Sequence, residues 1–272
     1  MTRFVVVPQW QGSPSTRAMA LVDGADAIAG DLPSAACLRV EVPSEAGESL
    51  DTGVRRASTL RRLRSRVDEA LAEIDDERVL VVGGDCGVAL PAISHVAGDD
   101  LAVVWFDAHG DLHSPASSPS GAFAGMALRG ILGECATGLA LPRGAVTADR
   151  VVLAGVRALD DEEHAFATRE GIRHLGRETT GAQIAQAVVD TGAKRVYIHV
   201  DLDVLDPAHM TGVADAQPFG LEAAALIDAI AAIRSVLPLA GSTLTGFAPQ
   251  SPQAAVEDLG TILRVVGALA KE

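Results

Sequence analysis

Apolar residues fall along this chain in two alternating textures. Short β-branched runs recur at Phe4–Val7, Leu38–Val42, Arg78–Val82, Ala102–Phe106, Val151–Ala154, Arg195–Val200 and Ser242–Phe247. Between them, apolar positions repeat at helical spacing over Thr16–Ile28, Val54–Ile74, Val88–Val96, Gly121–Leu132, Glu162–Glu170, Ala182–Asp190, Leu221–Val236 and Pro252–Ala270. A strand that is apolar throughout, rather than at alternate positions, has to be covered on both faces. The pattern therefore predicts an α/β fold: three layers, α/β/α, with a mainly parallel central sheet. No internal repeat or low-complexity tract interrupts the alternation, and residues 1–272 read as a single domain large enough to bury its own core. Two stretches break the texture as candidate active-site loops. One is Leu112–Gly121, with four serines and two prolines; the other is Asp206–Gly220.

Charge narrows the partners. A formal net charge of −14 opposes sequence-independent binding to nucleic acid or an anionic membrane, both of which need clustered Lys and Arg. The one basic cluster, Arg55, Arg56, Arg61, Arg62, Arg64 and Arg66, is threaded by Leu60, Leu63, Val67, Leu71 and Ile74 at helical spacing. It reads as the solvated face of an amphipathic helix. Cys37, Cys86 and Cys135 are too few and too scattered for a disulfide framework. The first residues read as a strand, without the sections of a signal peptide, and no apolar run reaches membrane-spanning length. The expectation is a cytoplasmic protein acting on a small molecule; no interface between copies is legible.

Chemistry concentrates in three acidic motifs, each at the end of a predicted strand: Gly83-Gly84-Asp85-Cys86, Asp107-Ala108-His109-Gly110-Asp111 and Asp201-Leu202-Asp203-Val204-Leu205-Asp206-Pro207. In an open α/β sheet, ligands gather beyond the carboxyl ends of the strands, so the three motifs can converge on one crevice. Side chains two apart in extended backbone share a side, which suits Asp107-x-His109-x-Asp111 and Asp201-x-Asp203 to a common ligand. Carboxylates buried without partners are very costly. Cations relieve that cost, and mixed carboxylate and imidazole donors suit Mn(II), with Fe(II), Co(II) or Zn(II) as substitutes. A single Asp-x-Asp usually caps or solvates a turn; Asp-Ala-His-x-Asp joined with Asp-x-Asp-x-x-Asp-Pro is far more specific. The site reads as that of a two-metal hydrolase, in which the ions acidify a shared water.

On these motifs the chain resembles the arginase or ureohydrolase family, which includes arginase, agmatinase and formiminoglutamase. The resemblance implies the arginase-like three-layer fold, two Mn(II) ions and hydrolysis of a guanidino or related C–N bond. It implies that Cys86, Asp107, Asp111 and Asp201 bind one ion and that His109, Asp107, Asp201 and Asp203 bind the other, with Asp107 and Asp201 bridging. It also implies that His113 and Ser120 meet a substrate carboxylate, and that Asp160 and Glu163 meet its α-amino group. Simpler readings stand beside these: a loop histidine, a helix N-cap at Ser120, and the acidic first turn of a helix. Asp111 and His109 are the expected catalytic groups. His95, His164, His174, His199 and His209 belong to no motif and read as structural.

Three departures from the family separate this chain from an arginase. Cys86 stands where the family has histidine; as a thiolate it would bring one negative charge where imidazole brings none, although a small buried hydrophobe is the simpler reading. Ala124, in Ser120-Gly121-Ala122-Phe123-Ala124, stands where arginases carry a proton-shuttling histidine. Gly246, in Thr245-Gly246-Phe247-Ala248-Pro249, stands where a glutamate holds the charged guanidinium. With the amino-acid end retained and the cationic end unsupported, the expected substrate is a neutral hydroxyguanidine, Nω-hydroxy-L-arginine. It would be cleaved to hydroxyurea and L-ornithine. The alternatives are a ureohydrolase of another guanidino or formimino substrate, and a non-catalytic ligand-binding relative.

Overall fold

Eight strands form one sheet in which every neighbouring pair is parallel: β1 (Thr2–Val7), β2 (Cys37–Arg39), β3 (Arg78–Gly83), β4 (Leu101–Phe106), β5 (Val151–Ala154), β6 (Arg173–Leu175), β7 (Arg195–Asp201) and β8 (Leu239–Thr245). Their spatial order is β2-β1-β3-β8-β7-β4-β5-β6. This computed structural model describes residues 2–75 and 77–271. Among the described residues eight α-helices cover the sheet: α1 (Ala20–Gly30), α2 (Ala57–Ala72), α3 (Ala89–Val96), α4 (Ala127–Ile131), α5 (Asp161–Glu170), α6 (Gly181–Val189), α7 (Ala223–Val236) and α8 (Pro252–Ala270).

Strand alternation divides the core in two. Leu101, Val103 and Trp105 of β4 point into one layer, with Leu60 and Leu63 of α2, Ile93 of α3 and Phe166 of α5. Ala102, Val104 and Phe106 point into the other, with Ile28 of α1, Val188 of α6, Ile230 of α7 and Ile262 of α8. Both faces of β4 are therefore apolar, which is why its sequence shows no alternation. The predicted three layers are present, and the mainly parallel sheet is wholly parallel.

Most predicted elements recur with end shifts of a few residues, and β5 and α8 match throughout. β6 is an addition to the predicted strands: Arg173, His174 and Leu175 form a short edge strand whose middle side chain is exposed. The predicted strand Ser242–Phe247 sits instead at Leu239–Thr245, since Gly246, at φ 87°, turns the chain out of the sheet. The arginine cluster does more than face solvent. Arg56 lies 4.9 Å over the Trp10 ring and donates to the carbonyls of Gln11 and Ser13, while Arg64 donates to those of Gly138 and Ala140. These residues fasten loops to α2.

Close backbone approach locks strands together at the carboxyl end of the sheet. A Cβ on Gly84 would lie 1.7 Å from the Gln9 carbonyl oxygen, a backbone atom with no freedom to move aside. The Gly84 carbonyl in turn accepts from the Gly246 amide at 2.9 Å, joining the end of β3 to the end of β8. Gly84→Ala should lower stability by about 3 kcal/mol, the upper range for an overpacked site. A urea denaturation midpoint equal to that of the parent would refute that packing account.

Candidate metal centre

The ends of β3, β4, β7 and β8 are neighbours in the sheet, and all three acidic motifs open there into one cavity of about 510 Å³. Cys86, His109, Asp111, Asp201 and Asp203 line it, as do His113, Ser120, Asp160 and Glu163. Asp107 lies beneath, 1% exposed. One Asp107 oxygen, Oδ2, is 3.6 Å from Cys86 Sγ, and the other, Oδ1, is 3.3 Å from His109 Nδ1. Asp107 thus spans the two halves of the cluster. Asp201 Oδ2 is 3.0 Å from Cys86 Sγ, and Asp203 Oδ2 is 3.0 Å from His109 Nδ1. Cys86 faces the aspartates and is not packed away from them.

Local backbone geometry aims these groups. Asp201 accepts from the Asp203 amide, Asp203 from the Ala108 amide, and Asp107 from the His109 amide. Thr245 at the end of β8 donates its hydroxyl to Asp201 Oδ2 at 3.0 Å. Asp111 takes a left-handed conformation, φ 52°, uncommon for a residue with a side chain and usually sustained only where the surroundings enforce it. Asp85 lies fully inside and receives the amides of Gly12 and Gly87 and the Gln9 side chain, tying the chain after β1 to the Cys86 turn.

The electrostatics follow from crowding in a dry place. Burial first, then the neighbouring carboxylates, raise the pKa of every aspartate in the cluster, with Asp201 pushed up to about 7 and Asp203 to about 6. The Cys86 thiol is raised by burial and by Asp201, Asp111 and Asp107. His109 is the exception. Burial opposes its charge, but Asp107, Asp203 and Asp215 together hold its pKa well above the usual imidazole range. Among the described residues no Lys or Arg forms an ion pair with these carboxylates, and Asp111 Oδ2 is buried without a partner. Four carboxylates and a thiol in this arrangement fit divalent cations.

The residues expected at the substrate's amino-acid end share the cavity but carry local duties as well. Asp160 caps α5 and accepts from the Glu163 amide, and Glu163 returns the bond, so the two form a capping box. Glu163 Oε1 also accepts from the Leu112 amide at 3.0 Å, holding the start of the serine-rich loop. His113 Nε2 lies 3.1 Å from Asp160 Oδ2, and its Nδ1 is 3.2 Å from Ser117 Oγ. Ser120 Oγ accepts from the Ala122 amide, so it closes a turn rather than capping a helix.

Two residues near the cluster are not singled out by any motif. Asp215, within the second predicted loop, places Oδ2 3.4 Å from His109 Nε2. Nothing but its loop marks it in the sequence, and its placement depends on Arg157, which clamps that loop through the carbonyls of Asp203, Gln217 and Pro218. His199 of β7, expected to be structural, is fully buried and stacked on Trp105 at 3.6 Å, with its Nε2 3.9 Å from Asp107 Oδ2.

Known proteins resemble this chain in both sequence and fold. The family model described as arginase family matches residues 13–261. The arginase of Bacillus caldovelox is 34% identical over 176 residues, covering 57% of this chain and 59% of that protein. The arginase of Staphylococcus aureus (strain MRSA252) is 33% identical over 156 residues, covering 53% and 52%. The chain thus spans about half the length of the curated relatives it matches. The crystal structure of Entamoeba histolytica arginase in complex with L-ornithine superposes with a TM-score of 0.86 at 19% identity, covering 100% of this chain and 98% of that one, a likeness of fold.

Raised carboxylate pKa values have a consequence for the protein stripped of metal by a chelator. A group whose folded pKa lies above its unfolded value contributes stability below the unfolded pKa and loses it as pH rises through the folded one. For Asp201 and Asp203 that window runs from about 4, the unfolded aspartate value, to about 7 and about 6. The melting temperature of the stripped protein should fall as pH is raised across this window, and added Mn(II) should abolish the fall. Parallel pH profiles with and without metal would contradict the crowding account.

Proposed function

The chain belongs to the arginase family, matched over residues 13–261, and from that premise we propose that it hydrolyses the amino acid Nω-hydroxy-L-arginine to hydroxyurea and L-ornithine. In the departures at Cys86 and Ala124 it resembles the Nω-hydroxy-L-arginine hydrolase of D-cycloserine biosynthesis. The observation that carries the substrate choice is Gly246. Its φ is 87°, and a Cβ there would sit 2.0 Å from Asp201 Oδ1. A glutamate here would need a left-handed backbone that side chains rarely adopt and would have to displace the Asp201 carboxylate, and with glycine in its place position 246 offers a guanidinium no counter-charge. A hydroxyguanidine is much less basic than a guanidine and can enter neutral.

Cys86, Asp107, Asp111 and Asp201 would hold one ion, and His109, Asp107, Asp201 and Asp203 the other, with Mn(II) the proposed metal. When bound, the pair supplies Lewis-acid polarisation and an acidified water. The chain's own groups do the rest. His113 and Ser120 at one end of the cavity, with Asp160 and Glu163, orient the α-carboxylate and α-amino group, which fixes the distance from the α-carbon to the reacting carbon. Pro14 and Leu21 add apolar wall on which the methylene stem can lie. Water oxygen adds to the hydroxyguanidine carbon, the bond from that carbon to Nδ breaks, and Nδ leaves as the amine of ornithine. Ala124 lines the cavity and has no proton to give. Asp111, ligating as a carboxylate with no other partner at Oδ2, would take one proton from the attacking water and pass it to the departing Nδ, the second water proton going to the hydroxyimino nitrogen.

The Mn(II)-loaded protein should release hydroxyurea from Nω-hydroxy-L-arginine at least tenfold faster than urea from L-arginine, judged by kcat/KM with both products quantified. Comparable urea from arginine would overturn the substrate assignment, and turnover of agmatine or formiminoglutamate instead would move it within the family. Full metal occupancy without turnover of any of these would leave a ligand-binding relative. Asp111→Asn should cut kcat on hydroxyarginine by about a hundredfold, within the usual range for a lost general acid; an unchanged kcat would exclude Asp111 as the proton source.

A further inference from the structure

His199 is the least satisfied polar side chain of the core. It is 0% exposed, and among the described residues neither Nδ1 nor Nε2 has a hydrogen-bond partner. Buried side-chain nitrogens are nearly always paired, and an orphan calls for an unseen partner. Strand geometry shows where that partner would be. β7 and β4 run in register with His199 opposite Trp105, and alternation puts Tyr197, His199 and Asp201 on one side of β7. Trp105 and Asp107 project from β4 to the same side. His199 therefore lies directly under Asp201 and beside Asp107, facing the turn that delivers Cys86.

The distances suit a shared ion. Cys86 Sγ, an Asp107 carboxylate oxygen and a His199 ring nitrogen all lie within 4.8 Å of one another. Asp107 Oδ2 is 3.9 Å from His199 Nε2 and 3.6 Å from Cys86 Sγ. Donors around one ion, with bonds of about 2.0–2.3 Å, stand roughly 3.3–3.8 Å apart. Small side-chain rotations close the difference. The stack on Trp105, at an interplanar angle of 19°, fixes the plane of the imidazole and leaves its edge toward the cluster.

We propose that His199 is a metal ligand of this chain, supplying from β7 the imidazole that position 86 lacks, so that one ion is held by Cys86, Asp107 and His199 together. The inference rests on the metal reading of the proposed function and adds a donor to it. An imidazole and a thiolate then share the ion, with Asp107 continuing to span toward the His109 half.

Co(II) titration tests this, because sulfur-to-cobalt charge-transfer absorption reports the ion on Cys86. His199→Phe keeps an aromatic ring against Trp105 and removes both nitrogens. In the parent, the band should develop with the first equivalents of Co(II). In His199→Phe it should need about tenfold or more metal, with the thermal melt of the variant showing that it folds. An unchanged band and affinity in the folded variant would reduce His199 to packing. Should the variant not fold, the intact protein decides: loaded with 113Cd and labelled with 15N-histidine, it should show metal–nitrogen coupling at two histidines, and coupling at His109 alone overturns the proposal. Retention of no ion by the parent, by elemental analysis, would instead sink the metal reading and the proposed function with it.

Discussion

The rest of the site depends on the mutual repulsion of carboxylates held where water cannot screen them. Asp107, Asp111, Asp201 and Asp203 sit at the ends of buried parallel strands, each less than a tenth exposed. A lone ionised carboxylate in such surroundings is prohibitively expensive, and a group of them more so, unless protons or cations neutralise them. Helices on both faces exclude water from the sheet, and the same covering makes the strand ends dry. Fold and site are therefore one arrangement: the layers that stabilise the protein also create the electrostatic strain that divalent ions would relieve.

Positioning is achieved mostly by backbone. Asp107, Asp201 and Asp203 each receive an amide two residues away or from beyond the end of a neighbouring strand, and side-chain donors enter at Asp201 through Thr245 and Cys86. Such bonds hold the oxygens in place before any ion arrives and add no net charge. Gly84 lets the end of β3 press against the Gln9 backbone, Gly246 lets the end of β8 lie against Asp201, and the Gly246 amide donates to the Gly84 carbonyl. The outer ring works differently. Asp160, Glu163 and His113 bond to one another and to the Leu112 amide, so the groups proposed to meet the substrate's amino-acid end also shape the loop that presents them.

The elements are legible where local pattern and tertiary role agree. Fully apolar runs such as Ala102–Phe106 can be nothing but covered strands, and acidic residues directly after them can only lie at the sheet's end. β6 is illegible because an edge strand of three residues carries no such pattern. The role of Arg56 is hidden within its cluster, since only the three-dimensional path of the chain after β1 brings Trp10 and two carbonyls beneath it. Asp215 depends on a loop clamped from another segment by Arg157, so no spacing could announce it. His199 sits in an apolar strand with no motif of its own; its neighbourhood follows from the register of β7 against β4, which periodicity does not encode.

Cys86 and Gly246 are best understood as one change. A glutamate at 246 would add a carboxylate beside Asp201, and Cys86, once ionised by a bound metal, would add a negative charge on the other side of the same aspartate, 3.0 Å from its Oδ2. Both together would leave Asp201 between two further anions at close range in a low dielectric, where each repulsion is worth several times its value in water. Moving the charge from the substrate wall to the metal shell keeps the total anionic charge around the reacting carbon while changing its use. At the wall it would attract a cation. In the shell it would donate to an ion, make that ion a weaker acid, and leave the attacking oxygen more nucleophilic. A site altered in this way would give up its hold on guanidinium and gain nothing from a positive substrate, which is the chemical ground for proposing a neutral hydroxyguanidine.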